Sequence, residues 1–210
     1  MNPPKEGEIS GDGMRFRYRE HGGGDAVLWL GELGRSPLLR EIVAKQSRVV
    51  ELAPRGAAPA AASTARALAE ALATLGITRF DLVAEDQYAA VALALALDRA
   101  KAVTSLTLLA PVLIDAKGGV ATEADEALVA RLAMLEVPLL AVFGTKDTLA
   151  PPEAGRHYRD RLANCNLVLV YDAGHAMGEE RPEAVAELVT DFLRRRDLFL
   201  VRQTSDLLYH

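Results

Sequence analysis

Short unbroken apolar runs recur along this chain, and the segments between them carry apolar residues on one helical face. The runs are AVLWLG from Ala26, RVVELAP from Arg48, DLVA from Asp81, VTSLTLLAP from Val103, VPLLAVFG from Val137 and NLVLVY from Asn166. A strand that is apolar at every position has both faces covered, which is the pattern of a parallel sheet between helix layers. The helical segments fit between them. Ser36-Pro37 supplies an N-cap residue and a first-turn proline ahead of Leu38, Leu39, Ile42 and Val43. Ser63 to Gly76 carries Leu68, Leu72 and Leu75, and Tyr88 to Leu97 is apolar almost throughout. Thr122 to Leu135 opens on Thr122-x-x-Asp125, a capping-box-like start. Pro151 to Ala163 and Arg181 to Arg195 complete the set, the last with Val185, Leu188, Val189 and Phe192 facing inward. An alternating strand, Met14 to Gly22, precedes them all. The alternation predicts an α/β fold, a mostly parallel doubly wound sheet with helices on both faces.

With 210 residues, half of them hydrophobic, the chain is sized for one core and is expected to be a single domain over 1–210. Residues 197–210 read as a C-terminal tail in which Phe199, Leu200 and Val201 can pack while the end frays. The net charge of −5 comes without a Lys/Arg-rich run, so nucleic acid and anionic membranes are poor partners. No apolar stretch approaches the roughly 18 residues of a membrane span. The start, MNPPKEGEISGDG, has no apolar core of a secretory signal, so a cytoplasmic location is expected. Cys165 stands alone, which excludes a disulfide framework. No Gly-x-Gly-x-x-Gly follows a strand, no Walker A is present, and no His/Asp/Glu cluster has metal-ligand spacing. No cofactor or metal is therefore expected.

In open parallel sheets, ligands sit beyond the carboxyl ends of the strands. Of the segments just after each run, three hold a catalysis-capable group: Asp86 in AEDQYAA, Asp147 in GTKDTLAPP and His175 in DAGHAMG. Their order is nucleophile position, acid, histidine.

That order resembles the α/β-hydrolase fold, and the likeness extends along almost the whole chain. VPLLAVFGTKDTLAPP is similar to the strand that ends in a Gly-x-x-Asp turn, and LVLVYDAGHAMGEERPEAVAELVTDFL to the last strand, the histidine loop and the closing helix. TLGITRFDLVAEDQYAAVALALA resembles the segment leading into the nucleophile elbow, and MRFRYREHGGGDAVLWLGELGRS the first strands with the oxyanion loop. The resemblance implies a small-molecule hydrolase with Asp147 as orienting acid, His175 as base and Asp86 at the nucleophile position. It also implies an oxyanion hole built from the backbone N–H groups of Glu32 or Leu33 and of Gln87. Only residues 112–136 separate the fourth and fifth core strands, so any cap is vestigial. That leaves the catalytic edge open to homo- or hetero-oligomer contact.

The elbow departs from the usual G-x-S-x-G. Ala84 and Ala89 keep the small positions, Asp86 replaces serine, and Tyr88 adds bulk. Haloalkane dehalogenases and epoxide hydrolases of this fold use an aspartate nucleophile. A carboxylate is ionised at neutral pH and can attack an sp3 carbon unaided, after which histidine activates water against the ester. Those families place more cap after the equivalent strand, and the dehalogenases a Trp where Gln87 stands. Asp86 as nucleophile, as general base or as plain helix cap all remain open. So does a catalytically degenerate protein serving as a binding or subunit-interaction module. Asp147 has a turn or N-cap role as its alternative. A Glu32 side chain near Asp86 and Glu85 would crowd negative charge or point to solvent. His21 is read in a β-turn, His157 on a surface helix, His210 as exposed, Trp29 as core, Ser36 as an N-cap and Ser105 as a strand residue.

Overall fold

The computed structural model describes residues 4–56, 60–120, 122–199 and 207–209. Strands β1 (Lys5–Gly11), β2 (Met14–Gly22) and β3 (Ala26–Leu30) come first. Helix α1 (Pro37–Val43), β4 (Arg48–Pro54), α2 (Ala61–Thr74), β5 (Phe80–Glu85), α3 (Tyr88–Asp98) and β6 (Val103–Leu109) follow. Then come α4 (Glu123–Ala130), β7 (Leu139–Gly144), α5 (Pro152–Arg161), β8 (Cys165–Val170), α6 (Met177–Glu180), α7 (Pro182–Arg195) and β9 (Leu207–Tyr209). Among the described residues, nine strands form one sheet in the order β1-β2-β4-β3-β5-β6-β7-β8-β9. Pairing is antiparallel from β1 through β2 to β4 and parallel from β4 onward. The predicted α/β architecture is present. Helices α1, α6 and α7 pack together as one layer, and α2, α3 and α4 as another.

Burial explains the elements. Every residue of β5 and of β7 is buried, as a central parallel strand requires. Helix α3 is buried from Val91 to Ala96, so its sequence has no polar face to show. Thr122 caps α4 by accepting from Asp125 N at 3.2 Å. The predicted Thr122–Leu135 helix is nevertheless shorter: α4 ends at Ala130 and a 3-10 turn takes Leu132–Met134. No helix of the described residues is long and apolar enough to cross a membrane.

Three expectations are corrected. A strand, β1, precedes the one predicted at Met14, joined to it by a tight turn with positive φ at Asp12 and Gly13. Its alternation is masked by glycines and charges, and Gly7 is required because a Cβ there would meet the Tyr18 ring at 2.7 Å. His21 lies in β2, opposite Val49, and not in a turn. At the C-terminus, Leu207–Tyr209 forms the parallel edge strand β9 against Val168–Val170. Phe199 is buried and meets Phe192 edge-on with ring centroids 5.3 Å apart. Leu200, Val201 and His210 lie outside the described residues.

A buried charged cluster ties the front of the sheet together. Arg40 of α1, Glu51 of β4 and Glu85 of β5 are 1%, 2% and 8% exposed. Arg40 Nη2 donates to Glu85 Oε2 at 3.3 Å and to the Glu32 carbonyl at 3.4 Å. Arg40 Nε lies 3.0 Å from Glu51 Oε2 as an ion pair, out of line for a hydrogen bond. Its guanidinium sits 4.9 Å from the centre of the Trp29 ring, and Trp29 Nε1 donates to Glu85 Oε1 at 3.1 Å. Glu51 also accepts from Gly34 N at 3.1 Å and pairs with His21 Nε2 at 2.8 Å. Gly31 has no room for a side chain here: a Cβ would stand 2.8 Å from Glu85 Oε2.

At the opposite end of β5, Asp81 sits where the register with β6 slips. Its carboxylate accepts from Thr104 Oγ1 (2.5 Å), Ser105 Oγ (2.7 Å) and Arg196 Nε and Nη2 (3.0 and 2.9 Å). Replacing this buried acceptor strands the two hydroxyls and the guanidinium. Asp81→Ala should lower stability by about 2–4 kcal/mol, read as a shift of the urea midpoint at unchanged m. A loss within experimental error would show the cluster to be idle.

Glu85 gives a second test. Burial pushes its carboxyl above the ordinary value, and this outweighs the pull of Arg40 and the Trp29 hydrogen bond in the other direction. A carboxyl whose pKa is higher in the folded chain stabilises the fold below its unfolded pKa. That contribution is lost as pH rises through the folded value. Glu85→Gln cannot ionise, so the wild-type urea midpoint should fall relative to the variant between pH 4 and pH 7. A constant difference, or one that grows in favour of wild type, would contradict the sign.

Candidate active site

The turn from β5 into α3 is sharp because Asp86 adopts a left-handed conformation, φ +53°. That region is strained for most L-residues and is reached most readily by Asn and Asp. Two backbone bonds hold the turn: Asp86 N donates to Leu109 O at 3.0 Å, and Ala89 N to Asp86 O at 3.2 Å. Ala84 and Ala89 are fully buried at the crowded positions. Tyr88 fits because its ring is only half-buried. Burial, followed by the charges of Glu32, Asp86 and Glu85, raises its hydroxyl pKa.

Beyond β7, Asp147 N closes a turn onto Gly144 O at 3.1 Å. Its Oδ1 accepts from Leu149 N at 2.8 Å and Ala150 N at 2.9 Å, which leaves Oδ2 for His175 Nδ1 at 2.8 Å. The turn role and the orienting role are thus both present in one buried carboxylate. His175 sits in the loop after β8. That loop is fastened to the β7 loop by Lys146 N donating to Ala173 O (2.8 Å), by Asp172 N donating to Thr145 Oγ1 (2.9 Å), and by a Lys146–Asp172 ion pair. Gly174 N donates to Glu180 Oε2 at 2.7 Å on the other side. With Nδ1–H given to Asp147, the Nε2 edge faces Asp86 Oδ1 at 3.4 Å.

The structure therefore brings Asp86, His175 and Asp147 together. The cap role proposed for Asp86 is not what its carboxylate does: the N-cap residue of α3 is Gln87, which makes no side-chain cap bond either. Asp86, Glu85 and His175 line a cavity of about 20 Å³ with Arg35, Ser36 and Met177 among the other walls. That is room for one water.

Glu32, Leu33 and Gln87, whose backbone N–H groups are the expected oxyanion donors, are not among the residues lining this cavity, while Gln87 directly follows Asp86 in the turn. Glu32 is exposed, and Leu33 lines a separate groove shared with Glu6, Arg17 and Arg19. Gly34 and Ser36 both take positive φ, and Arg35 and Ser36 line the cavity. Ser36 precedes α1 as expected but makes no side-chain cap bond. Sequence reasoning also missed Glu85, Arg40 and Glu51 as one unit; the signal was a glutamate in the middle of the buried run RVVELAP. His157 is committed to Ala116 O at 3.1 Å. Burial pushes the Cys165 thiol up to about 12, which makes it inert at neutral pH. Among the described residues no cluster of His, Cys, Asp and Glu could hold a metal ion.

Residues 118–198 match the family described as TAP-like protein. Among curated proteins, the chain is 41% identical over 59 residues to the pimeloyl-[acyl-carrier protein] methyl ester esterase of Neisseria meningitidis serogroup B, which is 28% of this chain and 23% of that one. It is 33% identical over 64 residues to an uncharacterized hydrolase, YugF, of Bacillus subtilis, 30% of this chain and 23% of that protein. The chain thus spans less than a quarter of the length of the curated relatives it matches.

Solved structures agree over nearly the full length. A thermophilic esterase from Thermogutta terrifontis superposes with a TM-score of 0.76 at 16% identity, covering 92% of this chain and 99% of that one. Carboxylesterase CesB from Bacillus subtilis gives 0.74 at 15% identity over 90% and 91% of the two chains. Haloalkane dehalogenase DbeA from Bradyrhizobium elkani gives 0.73 at 16% over 91% and 98%. In strand order, in the elbow and in these superpositions alike, the chain has the α/β-hydrolase fold.

Proposed function

We propose that this protein is a small-molecule hydrolase in which Asp86 is a covalent nucleophile at an sp3 carbon. The observation that carries the reading is His175 standing between two carboxylates, 2.8 Å from the buried Asp147 and 3.4 Å from Asp86 on its strained turn. A carboxylate needs no base to attack a carbon that bears a leaving group. Attack forms an Asp86–carbon ester bond and breaks the carbon–leaving-group bond, whose electron pair departs with the leaving group. His175 then takes a proton from water, the hydroxide adds to the Asp86 acyl carbon, and the product leaves as an alcohol while the carboxylate is restored. Asp147 orients the imidazole and stabilises its protonated form.

Ester hydrolysis, named for several of the similar proteins, suits an aspartate less well. Attack on an acyl carbon would yield an anhydride, whereas displacement at a saturated carbon yields a stable ester that histidine can resolve. A haloalkane dehalogenase superposes about as well as the esterases do, and the gap beside His175 suits the hydrolytic water.

The His175→Ala variant should accumulate the ester. Incubated with epoxides, haloacids, haloalkanes and lactones, it should gain one adduct by intact mass, mapped to the Asp86 peptide. Wild type should turn over the same compound without accumulating it, about 100- to 10,000-fold faster than the variant. Asp86→Asn should show neither adduct nor turnover. Turnover without an adduct would make Asp86 a general base. Absence of both across the panel would overturn the reading.

A further inference from the structure

The wall of the cavity facing Asp86 carries two adjacent residues, Arg35 and Ser36, that the mechanism above does not use. Arg35 is held in a backbone turn, its N–H donating to Glu32 O at 3.2 Å. Its guanidinium meets a carboxylate outside the cavity, Glu179 of α6, with Nε 3.4 Å from Oε1; the two side chains are 27% and 51% exposed. An ion pair as open to water as this one is weak and readily exchanged. The same charge also acts on Glu85, which it pulls toward ionisation. Arg35 is the permanent cation among the residues lining the cavity.

Ser36 is the second, independent sign. It is 4% exposed and held at φ +50°, a conformation serine adopts at a cost. The usual return for a serine before a helix is a cap bond, and here its hydroxyl makes none. No hydrogen bond from it to any described residue replaces the cap. The hydroxyl is wedged beside α6, where a Cβ on Gly178 would meet Ser36 Oγ at 2.7 Å. A nearly buried donor on the cavity wall beside a loosely partnered guanidinium is a place for an acceptor from outside the chain.

Resting on the reading of Asp86 as nucleophile, we propose that Arg35 and Ser36 form a carboxylate subsite, and that the substrate is a small organic anion with its leaving group on the adjacent saturated carbon. One physical point favours this class. An anionic substrate approaching Asp86 and Glu85 is repelled unless a cation meets it, and Arg35 is placed to do so. The substrate carboxylate replaces Glu179 on Arg35 and accepts from Ser36 Oγ. Its saturated carbon then forms the bond to Asp86 Oδ as the leaving group departs with its electron pair. Water returns the carboxylate and releases a hydroxy acid.

The test uses chloroacetate and its neutral isostere chloroacetamide on the His175→Ala protein, with alkylation of the Asp86 peptide followed by mass over time. Comparing their rate ratio between variants cancels intrinsic reactivity. Adding Arg35→Met should lower the chloroacetate/chloroacetamide ratio about tenfold or more, the scale of a charge-assisted hydrogen bond. Ser36→Ala should lower the ratio less, and Arg35→Lys should recover part of it. Gly178→Ala, which displaces the Ser36 hydroxyl, should act like Ser36→Ala. Thermal unfolding of each variant checks that it is folded, and Arg35→Lys stands in if Arg35→Met is not.

An unchanged ratio in both Arg35 variants would overturn the subsite. So would labelling of Asp86 by neutral haloalkanes or epoxides with none by chloroacetate, and in that case the nucleophile reading would survive. No label from any reagent would remove both.

Discussion

The front half of this fold depends on one guanidinium kept out of water between two carboxylates. Arg40 can be buried because Glu85 and Glu51 flank it and the Trp29 ring lies beneath it. The carboxylates can be buried because Arg40, the Trp29 indole and the Gly34 amide donate to them. Charges so placed are costly to desolvate, and removing one partner leaves the others uncompensated. The geometric return is specific. Glu85 is the residue before the elbow, Glu32 and Gly34 belong to the loop after β3, and Arg40 belongs to α1. A single cluster therefore fixes β5, the neighbouring loop and the helix behind it relative to one another. Gly31 completes the arrangement by lacking a side chain where the Glu85 carboxylate passes.

The elbow then follows from local chemistry. A left-handed residue at the end of a buried strand needs a side chain that tolerates the conformation, and aspartate does so better than most. Small buried neighbours at Ala84 and Ala89 let the chain reverse, and the Leu109 carbonyl takes the Asp86 amide. The bulk of Tyr88 is harmless because the turn needs space on the inner side, where the alanines are. Strain at this one residue persists because β5 and α3 are both fully packed and cannot relax to relieve it.

Much of this was legible in the sequence. Apolar runs at the right spacing identified the parallel core, and a residue just after a strand must lie at the sheet's carboxyl edge. That sufficed to bring Asp86, Asp147 and His175 together. What was not legible depends on contacts between distant segments or on single torsions. Residues 40, 51 and 85 carry no mark that joins them, although a glutamate inside RVVELAP could be satisfied only by a buried partner. The path of the loop after β3 was not legible either, because Gly34 and Ser36 take positive φ and no residue pattern announces a left-handed serine. The edge strand β1 escaped because its side chains are largely exposed, so alternation carried little apolar contrast. His21 was assigned to a turn because glycines follow it, yet the ladder with β4 runs on through Gly22.

Four carboxylates crowd this edge, and their partners sort them by role. Glu85 accepts from Arg40 and the Trp29 indole, and Glu51 accepts from the Gly34 amide while pairing with Arg40 and His21. Asp147 spends one oxygen on two amides and the other on His175, and its side chain is fully buried. Hydrogen bonds of that kind hold lone pairs in place and lower their reactivity. Asp86 differs from all three. It has no fixed amide or guanidinium donor, its side chain is 32% exposed toward the cavity, and the nearest polar group is His175 Nε2. The one carboxylate with free lone pairs is thus the one raised on the strained turn, while the other three make that turn and its histidine rigid. An arrangement that needed only a negative surface would not divide the four in this way; the nucleophile proposed for Asp86, with its supports, would.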